Sequence, residues 1–181
     1  MGTNKIVHTE IKNFFTDEEC SELIKDVIKF GKAGVGNRDG TSKIDENYRK
    51  TLQSEGINND KKWNSIILKK LQDETDIPII SMPDNLLVLK YNKGFKFDKH
   101  RDRGPQYEDR IYTMIIQLSD SNKYENGDLL INNNLATKEK GSLILFNSGV
   151  LHSVSEITSG ERYSAVTWIR RRELQTKTNL L

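Results

Sequence analysis

Near residue 77 the apolar residues change their spacing, and that change limits the folds open to the chain. Before it they recur at helical intervals. Cys20, Leu23, Ile24, Val27 and Ile28 share one helical face. Thr16 opens that helix with Thr-Asp-Glu-Glu, which places Glu19 to close a capping box, and the spacing predicts about four turns. Trp63, Ile66, Ile67 and Leu71 form the stripe of a second helix over 58–73, with Lys61, Lys62, Lys69 and Lys70 on its wet face. After residue 77 the period is two. Stretches 85–91, 110–118, 128–131, 142–147 and 162–171 read as strands, separated by turns at 104–105, 119–127, 132–134 and 159–160. A short strand over 5–11 precedes the first helix. Helices first and closely spaced strands afterwards predict a mainly β chain with flanking helices, two antiparallel sheets in a sandwich.

At 181 residues one domain with a sizeable core is expected. Hydrophobic residues make up 35% and charged residues 30%, a globular composition with a polar surface. A net charge of +2 demands neither a nucleic-acid nor a membrane partner. No apolar run approaches the roughly 20 residues of a membrane span. The first residues carry no signal-peptide core, and Ile6 stands where a myristoylation pattern needs Ser or Thr, so a cytoplasmic protein is expected. Cys20 is the sole cysteine, which excludes an internal disulfide and fits a small buried side chain. A monomer or weak homodimer is expected. Residues 31–56 are rich in Gly, Asn, Asp and Ser. They read either as a solvated loop with a short edge strand or as a mobile segment that closes over substrate.

The chemistry concentrates in 91–103, YNKGFKFDKHRDR. On an extended strand His100 and Asp102 would share a face and Arg101 would point away. An imidazole and a carboxylate side by side can grip one metal ion, and a third ligand is needed. The chain has three histidines, His8, His100 and His152. His152 follows an apolar strand and completes a set of two histidines and one carboxylate, the facial triad of non-haem iron oxygenases, which leaves coordination positions open. Taken alone, His152 reads as a core histidine and Arg162 as a surface arginine. Together with His-x-Asp they point to a site. On the strand from Arg162, Ser164, Val166 and Trp168 share its face, and a guanidinium beside a hydroxyl suits a carboxylate.

This constellation resembles the Fe(II)- and 2-oxoglutarate-dependent dioxygenases, most closely the prolyl 4-hydroxylase branch. Tyr91-x-x-Gly94-x-x-Phe97-x-x-His100-x-Asp102 is similar to that branch's Y-x-x-G-x-x-Y-x-x-H-x-D, with Phe97 at the second Tyr. Residues 125–129, ENGDL, look like its E-G-G-x-L turn. Gly160-Glu161-Arg162-Tyr163 and Trp168 resemble the 2-oxoglutarate strand of hypoxia-sensing prolyl hydroxylases, whereas the collagen type usually has Lys at the Arg162 position. The likeness runs from about residue 6 to 170. It implies a double-stranded β-helix, a jelly-roll relative, with helical support over about 1–76, a β core over about 77–172 and a frayed polar tail at 173–181. It implies Fe(II) on His100, Asp102 and His152, with no catalytic residue beyond these ligands. It also implies 2-oxoglutarate on Arg162 with help from Tyr91, Ser164 and Gln117, O₂ as co-oxidant and ascorbate as reductant. Arg49, Tyr48 and Trp168 would touch substrate. The implied reaction is hydroxylation of prolyl residues in a peptide or protein, like procollagen-proline 4-dioxygenase, with release of succinate and CO₂. The alternatives are another protein side chain, a free amino acid or a small metabolite. A nucleic-acid dealkylase would carry a second Arg where Trp168 stands. A non-enzymatic metal-binding jelly roll would not need Arg162.

Overall fold

The computed structural model describes residues 8–36, 41–77 and 85–171. In chain order the elements are β1 (His8–Ile11), α1 (Asp17–Lys25), β2 (Phe30–Lys32), β3 (Val35–Gly36), β4 (Ser42–Lys43), β5 (Arg49–Lys50), β6 (Leu52–Ser54) and α2 (Asp60–Glu74). The core strands follow: β7 (Leu87–Tyr91), β8 (Lys96–His100), β9 (Arg110–Gln117), β10 (Tyr124–Asn126), β11 (Leu129–Ile131), β12 (Asn134–Leu135), β13 (Leu143–Asn147), β14 (His152–Val154), β15 (Ile157–Gly160) and β16 (Arg162–Arg170).

The capping box forms as read: Thr16 Oγ1 accepts from Glu19 N at 3.1 Å, and Glu19 Oε2 accepts from Thr16 N at 2.8 Å. α1 is shorter than its apolar spacing predicts. It stops at Lys25 because Asp26 is tied to the second helical segment. The Asp26 carboxylate accepts from Trp63 Nε1 at 2.7 Å and its carbonyl accepts from Asn58 N at 2.7 Å. Val27 then leaves the helix to bridge Ile57, and Ile28 is exposed.

Among the described residues, seven strands form a major sheet in the order β1-β13-β9-β16-β7-β6-β2, and five form a minor sheet in the order β12-β11-β14-β8-β5. Strand alternation sorts the side chains into two cores. Val88, Met114, Ile116, Leu143, Leu145, Ala165 and Ile169 face the helices, where Cys20, Leu23, Trp63, Ile67 and Leu71 cover them. Leu89, Tyr91, Ile115, Ile144, Phe146 and Val166 face the minor sheet, meeting Leu129, Ile131 and Val154. The protein is therefore a double-stranded β-helix sandwich with helices outside one sheet. Arg162, Ser164 and Trp168 share the inward parity of Val166.

Two segments differ from expectation. The described part of residues 31–56 carries more strand than the single short edge strand expected. β2 and β6 extend the major sheet, β5 extends the minor one, and β3 with β4 makes a small hairpin. Backbone pairing to existing edges builds these strands, with Arg49 opposite Phe97 and Lys50 opposite Lys96, so apolar alternation gave no sign of them. The extended run through 91–103 is interrupted. β7 ends at Tyr91, the chain turns with Gly94 at φ +77°, and β8 carries it into the other sheet. β8 itself ends at His100. Asp102 lies beyond it, held where its N–H donates to Ser148 O at 3.0 Å. The tail at 173–181 lies outside the described residues, as do residues 1–7.

Candidate metal centre

β14 lies against β8 with His152 opposite His100, so two distant histidines meet on one sheet. Asp102 sits between them: its Oδ1 is 3.6 Å from His100 Nε2 and its Oδ2 is 3.4 Å from His152 Nε2. The three ligating atoms all lie within 4.8 Å of one another. Such spacing suits one ion with bonds of about 2.0–2.2 Å.

The surroundings prepare each ligand. His100 Nδ1 is 2.8 Å from Asp98 O, and His152 Nδ1 is 3.0 Å from Val150 O. A carbonyl can only accept, so each Nδ1 carries a hydrogen, and Nε2 is the ring nitrogen placed to meet a metal. Phe97 stacks on His100 with centroids 3.5 Å apart, and Phe146 meets His152 edge-on at 4.8 Å. Burial, reinforced by the neighbouring His152 ring, pushes His100 down to about 3, so it stays neutral. Burial alone would raise the Asp102 carboxyl. His152, His100 and the Thr113 hydroxyl override it and hold the group below the usual carboxylate range. Thr113 Oγ1 donates to Asp102 Oδ2 at 2.7 Å and lies 3.0 Å from Ser148 Oγ.

A buried arginine faces the space between the sheets. Arg162 is 1% exposed and sits opposite Tyr91. Its Nη2 donates to Gln117 Oε1 at 2.9 Å, while Nε and Nη1 are buried without partners among the described residues. Leaving such donors unpaired costs about 1–3 kcal/mol or more when the group is charged. A buried carboxylate brought by a ligand would remove that cost, so Arg162 fits the free carboxylate of a dicarboxylic cosubstrate.

The other expected site residues fall as follows. Tyr91 is buried with its ring 5.3 Å from the Arg162 guanidinium. Ser164 is buried on the inward face, opposite Gln117. Gln117 Nε2 donates to Thr137 O at 2.9 Å and its Oε1 accepts from Arg162, so the protein orients its amide at both ends. Arg49 comes to the centre through β5. Its guanidinium lies 4.6 Å over the Phe97 ring, Nη1 donates to Gly34 O at 2.8 Å, and Nε is buried without a partner. Tyr48 packs edge-on against Phe97, and its hydroxyl donates to Lys99 O at 2.9 Å. Trp168 lies opposite Thr113, and its indole N–H has no partner among the described residues. Arg110 is sandwiched between the Trp168 ring at 3.7 Å and the Tyr107 ring at 3.8 Å. Sequence reading missed Thr113 as the partner of Asp102, Arg110 beside Trp168, and Tyr124. The last lay in a stretch read as a polar turn, and its hydroxyl is another buried group without a partner among the described residues.

Comparison with known proteins agrees with this geometry. Residues 86–170 match the 2OG-Fe(II) oxygenase superfamily, where 2OG is 2-oxoglutarate. A PKHD-type hydroxylase from Parvibaculum lavamentivorans is 33% identical over 113 residues, 58% of this chain and 52% of that protein. The chain thus spans about half of that relative. A PKHD-type hydroxylase from Prochlorococcus marinus (strain MIT 9312) is 30% identical over 176 residues, 87% of this chain and 77% of the relative. A Trichoplax adhaerens prolyl hydroxylase, solved with a hypoxia inducible factor oxygen degradation domain peptide fragment, superposes with a TM-score of 0.71. It shares 17% identity and covers 94% of this chain and 86% of its own. A metal-competent His-Asp-His cluster above a buried arginine, on a sandwich that such relatives share, makes this chain a member of the 2OG-Fe(II) oxygenase superfamily.

Proposed function

We propose that the protein hydroxylates a peptide or protein, with a prolyl residue as the reacting unit, using Fe(II), 2-oxoglutarate and O₂. One observation carries the reading. Two imidazoles and a carboxylate converge on a point while, between the same sheets, Arg162 keeps two buried N–H groups unpaired among the described residues. His100, Asp102 and His152 would hold the iron, and Arg162 would bind the far carboxylate of 2-oxoglutarate. Bound there, the metal and cosubstrate supply the oxidising power for C–H hydroxylation, with release of succinate and CO₂. The chain's own residues do the rest. Phe97 and Phe146 shield the imidazoles from water, and Thr113 fixes the carboxylate. The Arg49 guanidinium, with its free Nε, would take a carbonyl of the substrate main chain. Trp168, backed by Arg110 and Tyr107, would line the other side. The peptide held by the Trichoplax neighbour supports a peptide substrate here.

Arg49 also favours a second reading. A half-buried guanidinium whose Nε has no hydrogen-bond partner among the described residues would equally bind the α-carboxylate of a free amino acid. Succinate formation from 2-oxoglutarate, with Fe(II) and ascorbate, separates the two when proline-containing peptides and free amino acids are supplied in parallel. Peptides that stimulate turnover and gain one oxygen at proline support the first reading. Stimulation by free amino acids alone moves the assignment to the second. Turnover no greater than that of His100→Ala would sink both.

A further inference from the structure

Arg162 has a neighbour of its own kind of need. Tyr124 is buried, and its hydroxyl, like Arg162 Nε and Nη1, has no partner among the described residues. The two side chains are close. A Cβ placed at Gly127 would lie 3.4 Å from Arg162 Cδ and 3.4 Å from Tyr124 Cδ2. Burial raises the phenol's pKa and the Arg162 guanidinium pulls against it, so the hydroxyl keeps its proton and can donate.

The ring is also pinned. β10 pairs with β15, with Tyr124 opposite Gly160. Gly160 has φ +75°, and a side chain there would meet Lys123 O at 2.0 Å and Tyr124 Cα at 2.9 Å. The backbone of β15 therefore presses on β10 at the residue that carries the phenol. Lys138 closes the outer side, its ammonium 4.5 Å from the ring centroid while it pairs with Asp128 at 3.2 Å. Gln117, by contrast, has both amide ends engaged, by Arg162 and by Thr137 O.

We propose that Tyr124 is a ligand of the cosubstrate's far carboxylate, donating its phenolic hydrogen beside Arg162, while Gln117 holds the guanidinium. The proposal rests on the 2-oxoglutarate reading above. One carboxylate then receives the phenolic hydrogen and an N–H of Arg162, which gives partners to buried donors that lack them among the described residues.

The test is calorimetric titration of the Mn(II)-loaded chain under argon with 2-oxoglutarate and with 2-oxobutanoate, which has the keto-acid end and no far carboxylate. Tyr124→Phe should weaken 2-oxoglutarate about tenfold or more, as loss of a hydrogen bond to a charged group does, and leave 2-oxobutanoate within about twofold. The thermal midpoint of the metal-free variant should not fall, because the substitution removes a buried hydroxyl that has no partner. Equal weakening of both acids, or unchanged 2-oxoglutarate affinity, overturns the proposal. If the unsubstituted protein binds both acids equally, the Arg162 anchor itself fails, an outcome distinct from failure of Tyr124 alone.

Discussion

Each proposed ligand depends on a residue that never meets the metal. Thr113 is the clearest case. Its hydroxyl donates to Asp102 Oδ2 at 2.7 Å, and Asp102 has left the strand that would otherwise orient it. Thr113→Val keeps the branched shape and removes the donor. Metal affinity should fall about 10–100-fold, the usual effect of losing a partner behind a ligand, while the fold survives. Titration with Mn(II) followed by paramagnetic resonance checks this, and unchanged affinity would mean that Ser148 and the backbone orient Asp102 unaided. The residues proposed as metal ligands were legible from residue types and spacing, because few side chains bind metal and they must be few and near. Thr113 was not, because a threonine in an apolar strand gives no sign of which carboxylate it will face.

At the scale of elements, β15 and the turn before β16 place both Arg162 and Tyr124. Gly160 stands at φ +75°, with no room for a side chain. Gly160→Ala should destabilise the protein by about 2 kcal/mol or more, through backbone strain plus a clash with Lys123 O. It should also weaken 2-oxoglutarate binding. Chemical denaturation and the titration described above read the two effects. The capping box of α1 offers a contrast. Thr16→Ala should cost about 1 kcal/mol and leave metal and cosubstrate affinities unchanged, because α1 packs on the outer face of the major sheet. The capping box and the stripe of α2 could be read from the sequence, since both are local patterns. The early exit of α1 could not, since Asp26 is held by Trp63 from 37 residues away.

For the whole molecule, the site is a cost to the metal-free fold. His100 titrates at about 3 in the folded protein against 6.5 when free. The unfolded chain therefore binds the proton first as pH falls. The stabilising contribution of neutral His100 is complete above pH 6.5 and is lost as pH drops towards 3. Urea unfolding of the metal-free protein should show this loss, and His100→Asn should show less of it. Metal acts in the opposite direction. Mn(II) at a hundred times its dissociation constant should stabilise the folded state by about 2.7 kcal/mol, and His100→Ala should abolish the gain. The sequence by itself determined the two helical stripes, the succession of strands and the identities of the His-x-Asp pair, His152 and Arg162. These follow from periodicity and from the scarcity of residue types able to bind metal or anion. Only the tertiary structure decided that β5 carries Arg49 to Phe97, that Gln117 turns its amide to Arg162 and Thr137, and that Tyr124 leaves a hydroxyl free beside the guanidinium. Those outcomes depend on strand register and on which buried polar groups find partners, quantities set between distant segments and not written in the local order of residues.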